Sequence, residues 1–160
     1  MIDFRRLLPV LVEGGVRFVI VGGLAANAHG SARVTTDLDI VYDRRADNLT
    51  KLAAALAPYH PYLRGAPPGL PFQLDADTLR RGLNFTLTTD LGPVDLLGEM
   101  LGVGQYDEVA ADADTWEPFG QSVQIVSLRK LIAAKRAAGR PKDLEAIAEL
   151  ELLLEMRSER

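Results

Sequence analysis

There is no cysteine in the chain, which excludes disulfides and thiolate metal sites. Histidine is nearly absent too. His29 and His60 are the two present, a poor basis for a zinc site. No apolar run approaches the length that spans a bilayer. The opening MIDFRRLLPVLVEGG interleaves charged and apolar residues, and no small-residue cleavage site follows it. It reads as an amphipathic helix rather than a signal peptide, and the chain is expected in the cytoplasm. Internal repeats and low-complexity segments are lacking. So is an excess of positive charge: the net charge is −4, so the surface as a whole does not attract nucleic acid. One local exception is the stretch 127–142, which holds six basic residues and no acid.

What is present fits a soluble globular protein: 160 residues, 48% hydrophobic and 25% charged. We read residues 1–160 as one domain, with a core over about 16–126 and C-terminal helices over about 127–156. Phe4, Leu7, Leu8 and Leu11 fall on one helix face, and Gly14-Gly15 ends that helix. Phe18 to Val21 is a short apolar run, expected to be a buried strand. Gly22-Gly23 then turns into LAANAHG, a helix of about two turns closed by Gly30. Leu38, Ile40 and Val41 mark a second strand carrying Asp37 and Asp39, and Leu49, Leu52, Ala53 and Leu56 mark a helix. Residues 58–71 contain five of the nine prolines, and no regular element is expected there. Segments 83–88 and 92–97 read as strands about the turn at 89–92, and 122–126 as another. Gly139 and Pro141 separate two C-terminal helices, at about 127–138 and 142–156. The order predicts a mixed α/β sheet with helices packed on it and a C-terminal helical hairpin.

The chemistry concentrates in residues 21–41, VGGLAANAHGSARVTTDLDIV. Asp37 and Asp39 alternate with apolar residues, so both point to one face of a strand. Asp95 lies on another predicted strand, and if the two strands are neighbours the three carboxylates converge. Like charges about 4 Å apart repel by roughly 4 kcal/mol at an effective dielectric near 20. Such a cluster persists with a bound cation or a shared proton. Oxygen ligands alone suit Mg²⁺, which binds a few carboxylates together with substrate phosphates. Gly22 and Gly23, at a helix start, can bring backbone N–H groups against those phosphates. A dinucleotide-binding unit ending at Asp43 is the rival arrangement. It lacks the G-x-G-x-x-G spacing, its helix is too short for a parallel crossover, and it leaves Asp37 and Asp39 idle. Asp90 reads as a turn residue.

Other candidates are more open. Lys135 falls on the apolar face set by Leu128, Leu131 and Ile132, and a lysine facing the domain needs an anionic partner. Asp143 shares a face with Ile147, Leu150 and Leu154. A Lys135–Asp143 ion pair pinning the hairpin is the plainer role for both, and helix-dipole compensation would also suffice for Asp143. Arg33 could neutralise the carboxylates, meet a triphosphate, or simply be exposed. Asn27 and Thr35 are weaker candidates. His29 reads as a helix C-terminal cation or a packed imidazole. Arg129, Lys130 and Arg136 read as a solvated face, with acceptor RNA as the lesser option.

The pattern of apolar strand, Gly22-Gly23, thirteen residues, then Asp37-x-Asp39 and a later strand Asp95 resembles the nucleotidyltransferase superfamily of DNA polymerase β type. With LIAAKRAAGRPKDLEAIAEL near the end, it is similar to the AbiEii-type branch, which includes toxin components of toxin–antitoxin systems. The resemblance covers roughly residues 16–150. It implies an enzyme that moves a nucleoside monophosphate from a nucleoside triphosphate to a hydroxyl of RNA, such as tRNA, or of a protein, with a cognate antitoxin as partner. A silent regulatory or antitoxin-like module on the same fold is the alternative. The resemblance further implies that Asp37, Asp39 and Asp95 hold Mg²⁺ or Mn²⁺, and that Asp95 completes the metal site or accepts the hydroxyl proton. Gly22 and Gly23 would bind the triphosphate, and Lys135 and Asp143 match the branch's C-terminal catalytic pair; on the residues alone, Lys135 and Arg33 are the candidate side chains for contacting the nucleotide. Many active members carry serine after the first glycine. Gly23 stands there, so a hydroxyl is missing.

Overall fold

The computed structural model describes residues 1–158. Helix α1 (Phe4–Glu13) is capped by Asp3, whose carboxylate accepts the Arg6 N–H, and it buries Leu7, Leu8 and Leu11. Strand β1 (Phe18–Val21) is buried throughout and runs straight into α2 (Gly22–His29). Gly30, in the left-handed region, closes α2. Strand β2 (Leu38–Tyr42) and α3 (Ala46–Leu56) follow, the latter burying Leu49, Leu52 and Leu56.

Next come β3 (Tyr62–Leu63), α4 (Ala76–Arg81), β4 (Asn84–Thr89), β5 (Gly92–Leu97), α5 (Tyr106–Ala110), β6 (Asp114–Trp116) and β7 (Val123–Ile125). The chain ends in α6 (Leu128–Ala138) and α7 (Pro141–Ser158), turned by a left-handed Gly139. Among the described residues no helix is long and apolar enough to cross a membrane.

The strands form a mixed sheet in the order β3-β4-β5-β2-β1-β7-β6. β1 and β2 are antiparallel neighbours, which rules out the dinucleotide-binding unit: α2 is a turn between adjacent strands, not a crossover. β2 pairs in parallel with β5, and β1 with β7. Helices cover the sheet, and the apolar residues of β1, β2, β5 and α1 supply much of a continuous core.

Two expectations need correction. Asp37 lies in a bend one residue before β2, because the β2–β5 pairing begins at Leu38 opposite Val94. The proline-rich stretch is not wholly irregular. A 3-10 turn spans Ala57–Tyr59, and β3 pairs Tyr62 with Thr88 and Leu63 with Leu87 of β4. A strand this short exists only through its neighbour.

Asp43 is a structural corner. Buried just beyond β2, it accepts from Arg17 Nε at 2.7 Å, from the Arg45 N–H at 3.0 Å and from Arg45 Nη1 at 2.9 Å. Burial works against its charge, but these donors outweigh it and hold the carboxyl below the usual aspartate range.

Candidate active site

Strand register assembles the site. Val21, the last residue of β1, pairs with Asp39, and Asp39 in turn pairs with Asp95 on β5. Leu38 and Ile40 alternate inward, so Asp39 faces the opposite side, and Asp95 alternates likewise with Val94 and Leu96. Carboxylate oxygens of Asp37, Asp39 and Asp95 lie within 4.8 Å of one another. Burial, then the charges of Asp37 and Asp95, push the Asp39 carboxyl up to about 8. Burial and the Asp95 charge raise Asp37 as well. The cluster therefore holds a proton near neutral pH unless a cation displaces it.

The cluster also fits a cation by a second criterion. Oδ1 of Asp39 is buried without a partner, and the buried Oδ1 of Asp95 has the Arg64 guanidinium beside it. Three carboxylates, one with an oxygen that has no partner, form a hard donor set suited to Mg²⁺ or Mn²⁺.

Arg64 is the functional side chain that sequence reasoning missed. It follows β3 directly, and its Nη2 comes within 2.8 Å of Asp95 Oδ1. The two form an ion pair, and Nη2 also donates to the Leu87 carbonyl, 2.7 Å away. Only the pairing of β3 with β4 delivers Arg64 here. The signal in the sequence was an arginine inside a Pro/Gly-rich segment, which does not show where it points. Replacing Arg64 with methionine removes a competing cation. Mn²⁺ affinity is expected to tighten by about tenfold, while the ion-free protein melts lower. Titration of free Mn²⁺ by electron paramagnetic resonance checks this.

The glycines stand against the carboxylates. Gly22 has φ +65°, and a Cβ there would meet Asp39 Oδ2 at 2.1 Å. A Cβ on Gly23 would meet Thr35 Oγ1 at 2.6 Å. Val21 caps α2 without any side-chain hydrogen bond, so the first-turn N–H groups have no side-chain acceptor.

Lys135 and Asp143 line a cleft of about 170 Å³ together with Gly22, Asp39 and Arg140. Lys135 Nζ is 3.6 Å from Asp143 Oδ1, so the hairpin ion pair is present, and the lysine lines the same cleft as Asp39. Asp143 is buried beneath Arg140, whose Nε donates to it at 2.7 Å. The Arg140 guanidinium holds its carboxyl below the usual range. Asp143 does not join the three-aspartate cluster. Larger cavities lie elsewhere, one of about 450 Å³ between α3 and residues 72–76 and one of about 320 Å³ beside Arg45 and Tyr106. Neither is lined by these aspartates, and chemistry rather than volume places the site.

The remaining candidates have other partners. Arg33 Nε lies 3.9 Å from Glu149 on α7. Asn27 Nδ2 donates to the carbonyls of Ser31 (3.1 Å) and Arg33 (2.6 Å), shaping the loop that leads to Asp37. His29 is a packed imidazole. One nitrogen faces the Val126 carbonyl at 2.7 Å and the other faces Arg157 at 2.8 Å. A carbonyl only accepts and a guanidinium only donates, so the ring is assigned as the neutral Nε2–H tautomer. Lys130 pairs with Asp112 at 2.8 Å and Arg136 with Glu151. Asp90 sits at the β4–β5 turn and accepts from His60 at 2.6 Å.

No family model matches the chain, and no curated protein matches it. Solved structures do. A Thermotoga maritima protein, TM1012, provisionally described as a nucleotidyltransferase, shares 16% identity at a TM-score of 0.54, covering 100% of this chain and 97% of that one. The structure of ANT(2")-Ia in complex with adenylyl-2"-tobramycin shares 16% identity at a TM-score of 0.55, covering 98% of this chain and 95% of that one. At this identity the likeness establishes the fold: this chain has the nucleotidyltransferase architecture.

Proposed function

We propose that this single-domain protein is a metal-dependent nucleotidyltransferase. It moves a nucleoside monophosphate from a nucleoside triphosphate to a hydroxyl of RNA or protein. The observation that carries the reading is the convergence of Asp37, Asp39 and Asp95 beside Gly22 at the uncapped start of α2, on this fold.

The three carboxylates would hold Mg²⁺ or Mn²⁺, which when bound neutralises phosphate charge and orients the reacting oxygens. The first-turn amides of α2 bind the β- and γ-phosphates. The acceptor oxygen bonds to the α-phosphorus, the bond from that phosphorus to the bridging oxygen breaks, and pyrophosphate leaves. Asp95 takes the hydroxyl proton. Lys135, on the cleft wall, balances charge on the departing pyrophosphate. Rate enhancement comes from positioning and electrostatics. The resemblance to the AbiEii-type branch supports a toxin component with a cognate antitoxin as partner.

Thermal melting with ATP, GTP, CTP or UTP, each with and without Mg²⁺ or Mn²⁺, tests the reading. At least one triphosphate should raise the melting temperature by about 5 °C or more, only with metal. Transfer of an α-phosphate label to RNA or protein then identifies the acceptor, with Asp37→Asn/Asp39→Asn as control. One observation favours a second reading, a catalytically silent module: Arg64 already stands as a cation at Asp95. Absence of metal-dependent stabilisation by all four nucleotides would establish it.

A further inference from the structure

We infer that the hydroxyl of Thr35, reaching into the space a side chain at Gly23 would fill, donates a hydrogen bond to the triphosphate at the start of α2. The inference rests on the triphosphate reading above and adds a binding residue to it.

The geometry is specific. A Cβ on Gly23 would lie 2.6 Å from Thr35 Oγ1, 2.9 Å from Thr35 Cβ and 3.8 Å from Thr35 Cα. A side chain at residue 23 would displace that of Thr35, so with glycine there the hydroxyl present belongs to the incoming loop instead of the helix. A Cβ sits about 2.5 Å from its own amide nitrogen, so Oγ1 lies within about 5 Å of the Gly23 nitrogen. One phosphate oxygen can bridge a hydroxyl and an amide at that separation. The amides of this turn have no side-chain cap.

Thr35 Oγ1 now donates to the Asp37 carbonyl at 3.2 Å, long for an O–H···O bond. Little is lost when the hydrogen turns to an anionic acceptor, which binds it more strongly. The loop is held for the purpose. Asn27 fixes the carbonyls of Ser31 and Arg33, and two residues beyond Thr35 the same loop delivers Asp37. Thr35 thus places a phosphate-binding hydroxyl and a metal-site carboxylate on one short segment.

The test uses Thr35→Val, Thr35→Ser, Thr35→Gly and Gly23→Ser/Thr35→Gly. The last transplants the hydroxyl to the helix, and glycine at 35 is needed because an alanine Cβ would still collide. Binding of Mg²⁺-tripolyphosphate is measured by calorimetry, and melting temperature without ligand. Thr35→Val should weaken binding by about tenfold, the worth of one charge-assisted hydrogen bond, with melting nearly unchanged. Thr35→Ser should stay within about threefold of wild type. Gly23→Ser/Thr35→Gly should bind more tightly than Thr35→Gly alone. Wild-type affinity in Thr35→Val overturns the inference. So does a loss in Thr35→Ser equal to that in Thr35→Val, or a double variant no better than Thr35→Gly. A wild type that takes no tripolyphosphate with Mg²⁺ overturns the triphosphate reading itself, and this inference with it.

Discussion

Asp39→Asn is expected to abolish metal-dependent triphosphate binding while leaving the protein folded. Its carboxylate lies beside Asp95 in the strand register and two residues from Asp37, with one oxygen buried and unpartnered. Affinity for Mn²⁺ should fall by about a hundredfold or more, since loss even of residues that only support a metal ligand costs about ten- to a hundredfold. The variant should also change how stability depends on pH. The ordinary aspartate value is 3.8, and burial with the Asp37 and Asp95 charges raises Asp39 to about 8. A carboxyl whose folded value is raised disfavours the folded state as pH climbs above the unfolded value. The ion-free wild type should therefore lose stability between about pH 4 and pH 8, and Asp39→Asn should show a flatter profile. Equilibrium urea unfolding across that range, with and without Mn²⁺, reads both effects. Metal added to wild type should restore what high pH removes.

Gly22→Ala is expected to be the more damaging change for the fold. The residue lies at φ +65°, where a Cβ costs about 1–2 kcal/mol. The new atom would also fall 2.1 Å from Asp39 Oδ2 and 2.9 Å from its Cγ, so the carboxylate must leave its place. Overpacking of this kind costs about 1–3 kcal/mol more. Together these predict a melting temperature lower by about 10 °C, with metal binding lost. The two parts separate in a double variant. Gly22→Ala/Asp39→Ala should cost less than the sum of the single changes, because the collision is shared. Additive losses would place the damage in the backbone alone.

Much of this site is local, and local features are legible in a sequence. Gly22-Gly23 after an apolar run, and Asp37 and Asp39 alternating with Leu38 and Ile40, announce themselves through period and composition. So do α1 and α6, whose apolar spacing and glycine stops agree with the structure, and α7, which starts at Pro141. What was hidden depends on pairing. That Asp95 lies beside Asp39 is a fact of register between β2 and β5, strands more than fifty residues apart. Arg64 reaches the cluster because a two-residue strand is stabilised by β4, and nothing in Tyr62-Leu63 alone makes a strand. Arg33 lies 3.9 Å from Glu149 on α7, a neighbour the local sequence does not announce. The short elements α4, α5 and β6 have too few residues to show a period. The contact between Gly23 and Thr35 spans a loop whose path the sequence does not draw.

Crystals grown with Mn²⁺ and a triphosphate, examined at the manganese absorption edge, test the central claim most directly. The anomalous signal should fall among the carboxylates of Asp37, Asp39 and Asp95, within about 2.5 Å of an oxygen from each, with the phosphates against the start of α2. Manganese seated elsewhere, or no signal with Arg64 still paired to Asp95, would contradict it.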